Sequence, residues 1–298
     1  PPSPQAPPPP PPQSVSTPNA EFVRDREEEP HAAKQETEKE TYPPPLAHQV
    51  TTSLLAAVPS RFTSSVEALE AVRAATTSKN LSNAVMGLLG VMTLVASRTD
   101  AEALVQRNNA AAVVVAAMRA FDGPPTLATS EEVAHAGCGA LARLARWSDE
   151  PREAIVGAGG GEAVANALVK FAPRSERVAA KGCEAVAFLA EAPNTRARLI
   201  ESGAMAGVGD ALTAFGKAKF VAVDGCTAVA RVGEEGRTRR ALVRSPTTLL
   251  SGITSVMRLH SHDAEVQVAA LSALVPFADV DPGAVMAAGA APLVVAAL

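Results

Sequence analysis

Four glycines in five positions, within IVGAGGGEAV from Ile155 to Val164, are the residues of this chain best suited to cradle a phosphate. A strand running into such a loop brings backbone N–H groups up to a pyrophosphate, and the spacing that achieves it is G-x-G-x-x-G at the opening of a helix. Started at Gly157, that spacing requires glycine at 162, where the chain carries Glu162, a carboxylate facing any bound phosphate. The preceding PREAIV is also too short and polar for a buried parallel strand. A second candidate is RLHSHDAEV, in which His260, His262 and Asp263 hold metal-ligating types close together. No third ligand is nearby in sequence, and a polar turn with Asp263 capping the following helix accounts for all three. Cys138, Cys183 and Cys226 are too far apart for a zinc pair, and their odd number suits a reduced compartment. No residue is assigned to catalysis, to a cofactor or to a metal.

The glycine loop acquires another meaning once the elements that position it are found. A phrase recurs five times: GLLGVMTLV from Gly87, GCGALARLA from Gly137, GCEAVAFLA from Gly182, GCTAVARVG from Gly225 and ALSALVPFA from Ala270. Its second residue, Leu88, Cys138, Cys183, Cys226 and Leu271, serves as an anchor that advances in steps of 50, 45, 43 and 45. Apolar residues at anchor, +3, +6 and +7, such as Cys138, Leu141, Leu144 and Ala145, form one stripe of an amphipathic helix. Glycine inside a helix costs about 1 kcal/mol relative to alanine. Four glycines and an alanine in one column therefore predict close approach of backbones between adjacent repeats, and the cysteines beside them read as small buried apolar residues.

About 16 residues after each anchor stands an apolar pair followed by a turn: Leu104-Val105, Ile155-Val156, Leu199-Ile200, Leu242-Val243 and Val285-Met286. Then comes a further helical stretch, such as GEAVANALVKF, MAGVGDALTAF or LLSGITSVMRL. Each unit thus holds a short, a medium and a long helix, and IVGAGGGEAV falls at the joint between the short and the medium one. Glycine there supplies the positive φ that turns the chain. Thr129-Ser130-Glu131-Glu132 reads as a capping box opening the second long helix, after the longer loop FDGPPTLA. Pro276 is expected to kink the last long helix or end it early.

The ends differ in composition from this region. Residues 1–48 hold 8 acidic and 4 basic groups and most of the prolines, which predicts a disordered Pro-rich and charged tail and leaves the repeat region, 49–298, with no net charge. Within the tail, Pro7 to Pro12 favours polyproline II, a spacer or a ligand for SH3-, WW- or profilin-like modules. A neutral folded region argues against nucleic acid as partner, and no apolar run is long enough to span a membrane, so the chain reads as intracellular, cytoplasmic or nuclear. Pro1 in place of Met and the apolar run ending at Leu298 are expected of a fragment with further repeats beyond it.

The phrases IESGAMAGVGDAL and MAAGAAPLVVAAL, in which an apolar pair leads through glycine into a leucine- and valine-rich helix, resemble the armadillo repeat. The resemblance covers residues 60–298 and implies an all-α, right-handed α-solenoid of about five three-helix units, at 60–125, 126–172, 173–216, 217–260 and 261–298. It further implies a protein or peptide partner held in a concave groove lined by the long helices. The non-core positions there are +1, +5 and +8 from the anchor, which gives Gly139, Arg143 and Arg146, Glu184, Phe188 and Glu191, Thr227, Arg231 and Glu234, then Ser272, Pro276 and Asp279. Armadillo import receptors place Trp at +1 and Asn at +5 to hold a basic peptide, and neither stands in those columns here. Arg143 and Arg231 with Phe188 between them instead suit an acidic or mixed peptide with an apolar anchor, unless they are ordinary solvated residues. Trp147 reads either as a hot spot at the groove edge or as a cover for the adjoining loop. The residues assigned to the groove are Arg143, Arg146, Trp147, Glu184, Phe188, Thr227 and Arg231. The functions implied are an interaction scaffold or adaptor, an import-type cargo adaptor, or the substrate-binding part of a larger ubiquitin ligase or kinase.

Overall fold

The computed structural model describes residues 56–58, 60–123, 128–244 and 248–297, all within the larger of the chain's two units. The tail 1–48 with Pro7 to Pro12, positions 124–127 of the FDGPPTLA loop and the turn at 245–247 lie outside the described residues. Among the described residues every element is helical. Four triplets follow the expected order of first, medium and long helix: α3 (Arg98–Asn108), α4 (Ala110–Ala120) and α5 (Ala128–Ala145); α6 (Asp149–Gly157), α7 (Gly160–Phe171) and α8 (Glu176–Leu189); α9 (Pro193–Glu201), α10 (Ala204–Phe215) and α11 (Lys219–Val232); α12 (Gly236–Arg244), α13 (Leu249–Leu259) and α14 (Ala264–Val280). They are preceded by α1 (Ser65–Thr77) and α2 (Leu81–Leu94) and followed by α15 (Pro282–Ala287) and α16 (Ala291–Ala297). The stretch 60–125 therefore contains a fourth helix, α1, which packs on α2 as each medium helix packs on its long one.

Local sequence explains where the helices begin. Ser64, Asn80, Ser97, Ser175 and Asp263 each accept a backbone N–H of the first turn, and Pro193 and Pro282 occupy first-turn positions where a missing N–H has no cost. Four joints between first and medium helix each carry one residue of positive φ, Asn109 at 54°, Gly159 at 87°, Gly203 at 80° and Gly289 at 72°, while residues 245–247 between α12 and α13 lie outside the described residues. IVGAGGGEAV is thus a helix–helix joint, with Gly159 N–H donating to the Val156 carbonyl at 3.1 Å.

Stacking is translational. Long helices pack on long helices in the order α2, α5, α8, α11, α14; medium helices do the same from α1 through α4, α7, α10 and α13. The anchors Leu88, Cys138, Cys183 and Cys226 are fully buried in this shared core. The glycine column is explained mainly by side chains of the medium helix and not by meeting backbones: a Cβ at Gly137 would lie 2.5 Å from Met118 Cγ, at Gly182 2.4 Å from Leu168 Cδ2 and at Gly225 2.7 Å from Leu212 Cδ2. Only at Gly87 does backbone come close, with Ala68 O at 2.8 Å and Val72 N at 2.9 Å.

Two local expectations are corrected. α5 is already helical at Ala128, so Thr129-Ser130-Glu131-Glu132 lies inside its first turns; Ser175 Oγ donates to Glu131 at 2.7 Å and Arg177 pairs with Glu132 at 2.9 Å, tying α5 to the start of α8. Pro276 does not end α14, which runs on to Val280. Its ring is buried on Gly233, where a Cβ would stand 2.1 Å from Pro276 Cγ, so packing on α11 outweighs the lost hydrogen bond.

Candidate functional site

The outward stripe of each long helix consists of the positions left over when its other side is buried in the stack. On α11 and just past its end that stripe is Phe220, Val223, Thr227, Arg231 and Glu234; on α14 it is Glu265, Val268, Ser272, Val275 and Asp279. Between them lies a cleft of about 420 Å³, walled by Val223, Thr227, Arg231, Glu234, Glu265 and Val268. Phe220 and Val268 are 76% and 64% exposed, uncommon for large apolar residues and grouped on one face. Thr227 and Arg231 of the sequence assignment belong to this cleft.

Arg146, Trp147 and Phe188 form a second group at the junction of α5 and α8. The Arg146 guanidinium lies over both rings, 5.4 Å from the Trp147 centroid and 5.8 Å from that of Phe188. Trp147 is half-buried, and its Nε1–H is enclosed with no acceptor among the described residues.

The remaining assigned residues have partners inside the protein. Glu184 accepts from Lys181 Nζ at 2.6 Å. Arg231 pairs with Glu234 at 3.0 Å. Arg143 is half-buried and its Nε donates to the Val95 carbonyl at 2.6 Å. The structure does not assemble Arg143, Phe188 and Arg231 into a single anion-binding set. Gly139 is buried under Met92, and Pro276 is buried as well, so neither presents a side chain to a ligand.

Reasoning from the sequence did not find the most regular polar feature of this face. The fourth residue of α6, α9 and α12 is Arg152, Arg196 and Arg239. Each donates Nε, at 2.8 Å, to the carbonyl at +7 of the long helix before it, namely Ala145, Ala190 and Gly233. Each also pairs with the acid at +8 of the next long helix: Arg152 with Glu191, Arg196 with Glu234 at 2.6 Å, and Arg239 with Asp279. One side chain thus closes an open helix C-terminus and clips two repeats together. Its signal in the sequence is an arginine 13 or 14 residues after three successive anchors. In α3 the fourth residue is the buried Ala101, and there the +7 carbonyl, Val95, is capped by Arg143 from α5.

Among the described residues the shifted ionisable groups are mostly buried or paired within the fold. Burial pushes the thiols of Cys138 and Cys226 up to about 12 and that of Cys183 well above its ordinary range, the opposite of an activated nucleophile. Asp224, beneath the α8–α11 junction, is raised to about 6, first by burial and then by Glu184 and Glu265, with Lys181 opposing. Lys219 bridges Asp263 and Glu265, each at 2.8 Å. Asp263 caps α14 as expected, and His260 Nε2 lies 2.8 Å from the Gly216 carbonyl. Among the described residues no three His, Cys, Asp or Glu side chains are grouped to hold a metal ion.

No protein-family model matches the chain, and no curated protein matches its sequence. Solved structures do. An engineered protein superposes with a TM-score of 0.60 at 20% identity over 77% of this chain and 86% of its own. A designed armadillo repeat protein gives 0.59 at 20% identity, over 74% of this chain and 88% of its own. Another, solved in complex with the peptide (KR)4, gives 0.57 at 18% identity, over 79% and 95%. The fold is an armadillo-like repeat solenoid, and none of its described helices is long and apolar enough to cross a membrane.

Proposed function

We propose that the chain is an interaction scaffold without catalytic activity, which holds a peptide or an extended segment of a protein partner along the outward face of its long helices. The observation that carries this reading is the α11–α14 cleft, where Val223 and Val268 leave apolar surface between charged walls, with the exposed Phe220 one turn before Val223 on α11. Support comes from structures of the same fold that are described as designed for modular peptide recognition. The occupant we assign has an apolar anchor for this cleft and is not a lysine-rich strand of the kind taken by import-type adaptors. The +1 and +5 columns lack Trp and Asn, and the acids at +8 are already paired with Arg152, Arg196 and Arg239. Nucleic acid and membrane are not the partners assigned, and the place of action is cytoplasmic or nuclear.

The test is an array of random decapeptides probed with the full chain and with a Val268→Asp form. Because Val268 is already exposed, that change leaves the fold intact. Val169→Asp, at a 54% exposed site on the medium helix α7, is the control. Peptides with apolar residues at alternate positions should be retained by the parent and the control and lost by Val268→Asp. Equal retention by all three moves the site off the long-helix face.

A further inference from the structure

The ladder of arginines and acids does not reach the first triplet, and its absence there leaves a cation without an anion. At +8 the long helices α8, α11 and α14 carry Glu191, Glu234 and Asp279, each paired with an arginine of the preceding first helix. On α5 the same position is Arg146, and the residue of α3 that would pair with it is Ala101. Among the described residues no carboxylate or carbonyl accepts from the Arg146 guanidinium, which instead rests on the Trp147 and Phe188 rings. The acids close by are taken: Asp149 and Glu191 both pair with Arg152, and Glu102 accepts from Arg98 and Ser148.

We propose that Arg146, lying over the Trp147 and Phe188 rings in the long-helix groove, is an oxyanion receptor that takes the carboxylate of an acidic side chain in a bound peptide. The contact with the rings occupies no N–H of the guanidinium, which leaves its donors for the two-pronged geometry a carboxylate matches. The rings also fix the side chain beforehand, so less rotamer freedom is lost when the anion arrives. Phe188 and Trp147 give the neighbouring residue of the peptide an apolar wall. This site rests on the peptide-binding reading above and specifies one position of the ligand: an acid that sits about two repeats away from the apolar anchor in the α11–α14 cleft. A phosphoserine offers the same fork-to-oxyanion chemistry, and the test separates the two.

Trp147 is the only tryptophan of the chain, so its emission reports on this cluster directly. Acetylated, amidated decapeptides of Leu and Ser with a central Glu, Gln, Lys or phosphoserine are titrated against the full chain, against Arg146→Gln and against Val268→Asp. The Glu peptide should bind about tenfold or more tightly than the Gln peptide and shift Trp147 emission, as expected for a charge-assisted pair. In Arg146→Gln that preference should vanish while the Gln peptide binds as before. Tighter binding of phosphoserine than of Glu, lost in the same variant, confirms the receptor and names phosphate as its preferred anion. If Glu and Gln peptides bind the parent equally and both are lost in Val268→Asp, the groove stands and the Arg146 site falls. A uniform loss of all four peptides in Arg146→Gln likewise overturns the site, since it marks the arginine as packing. Failure of every peptide to bind the parent overturns the site and the groove together.

Discussion

Replacing Arg196 by alanine should cost far more stability than replacing its partner Glu234 by glutamine, although the two face each other across one ion pair. The Arg196 side chain is 5% exposed and that of Glu234 44%. Arg196→Ala uncovers the carbonyl of Ala190, which is fully buried and has Nε of Arg196 at 2.8 Å. A buried acceptor left open costs about 1–3 kcal/mol, and losing the packed arginine stem adds about 1 kcal/mol. The expected loss is therefore about 2–4 kcal/mol. Glu234→Gln keeps the capping bond and removes a charge that water already reaches, so its cost is that of a surface pair, about 0–1 kcal/mol. Urea unfolding followed by far-UV circular dichroism measures both, at low salt and at about 1 M salt, where the screening length falls to about 3 Å. Repeat arrays need not unfold in one step. For that reason amide exchange in α9 and at the end of α8 should accompany the midpoints, and the Arg196→Ala protein should open there first. Equal losses in the two variants, or an Arg196→Ala loss that disappears in high salt, would refute the capping argument and leave an ordinary surface ion pair.

Gly182→Ala gains about 1 kcal/mol in helix propensity and loses about 1–3 kcal/mol to the crowded Leu168, while Gly87→Ala meets backbone that cannot turn aside; chemical denaturation should rank Gly87→Ala as clearly the worse. Asp224 binds its proton more tightly folded than unfolded, about 6 against an ordinary 3.8, so its contribution to stability is complete below the lower value and is lost as pH rises through the upper one. Asp224→Asn should accordingly stabilise the protein at pH above about 7 and have a vanishing effect in acid; a gain that is constant with pH would contradict the burial of that carboxyl. All three cysteines should resist a water-soluble thiol reagent in the native protein and react after denaturation, given their burial and raised thiol pKa values. Labelling of even one at native conditions would show that the stack opens.

What the sequence made legible was governed by short range and by period. The anchor stripe repeats because every long helix buries the same face, and the positive-φ joint repeats because two helices must turn within one to three residues. The ladder stayed hidden because each pair spans 38 to 40 residues, and a lone arginine in PREAIV or TRARLI looks like solvated charge until the fold brings Glu191 or Glu234 over it. The repeat does not mark α1, because SVEALEAVRAATT lacks the glycine-bearing phrase, although Ala68 and Leu69 bury as fully as the anchors. Thr129 to Glu132 matched a capping pattern by spacing alone, whereas Arg177 and Ser175 across the stack decide what those side chains do. Of the groove assignment, Arg146 with Phe188 and Thr227 with Arg231 were each brought together, while Arg143 was withdrawn to cap Val95. That withdrawal needed knowledge of Ala101, a residue with no polar atom to attract notice.

In a stacked array, a residue that obeys the translation from one unit to the next is accounted for by the stacking, so recognition must be sought where the translation fails. The failures here are not scattered. Ala101 replaces the capping arginine; Arg143 then leaves the +5 position of the outward face to close Val95; and the +8 position of α5, no longer opposite a cation, tolerates Arg146 in place of an acid. Each departure follows physically from the one before, and the last of them is a guanidinium that rests on two rings and has no anionic partner among the described residues. At α14 the sequence of departures is shorter: Pro276 is buried over Gly233 and presents nothing outward at +5, and the α14 wall of the cleft is Glu265, Val268, Ala269 and Ser272. An extended partner lying across the long helices would therefore meet an anion receptor at one position and an apolar recess further along, separated by the paired charges of Glu191 and Glu234. The pattern it must satisfy is written by the exceptions to the repeat.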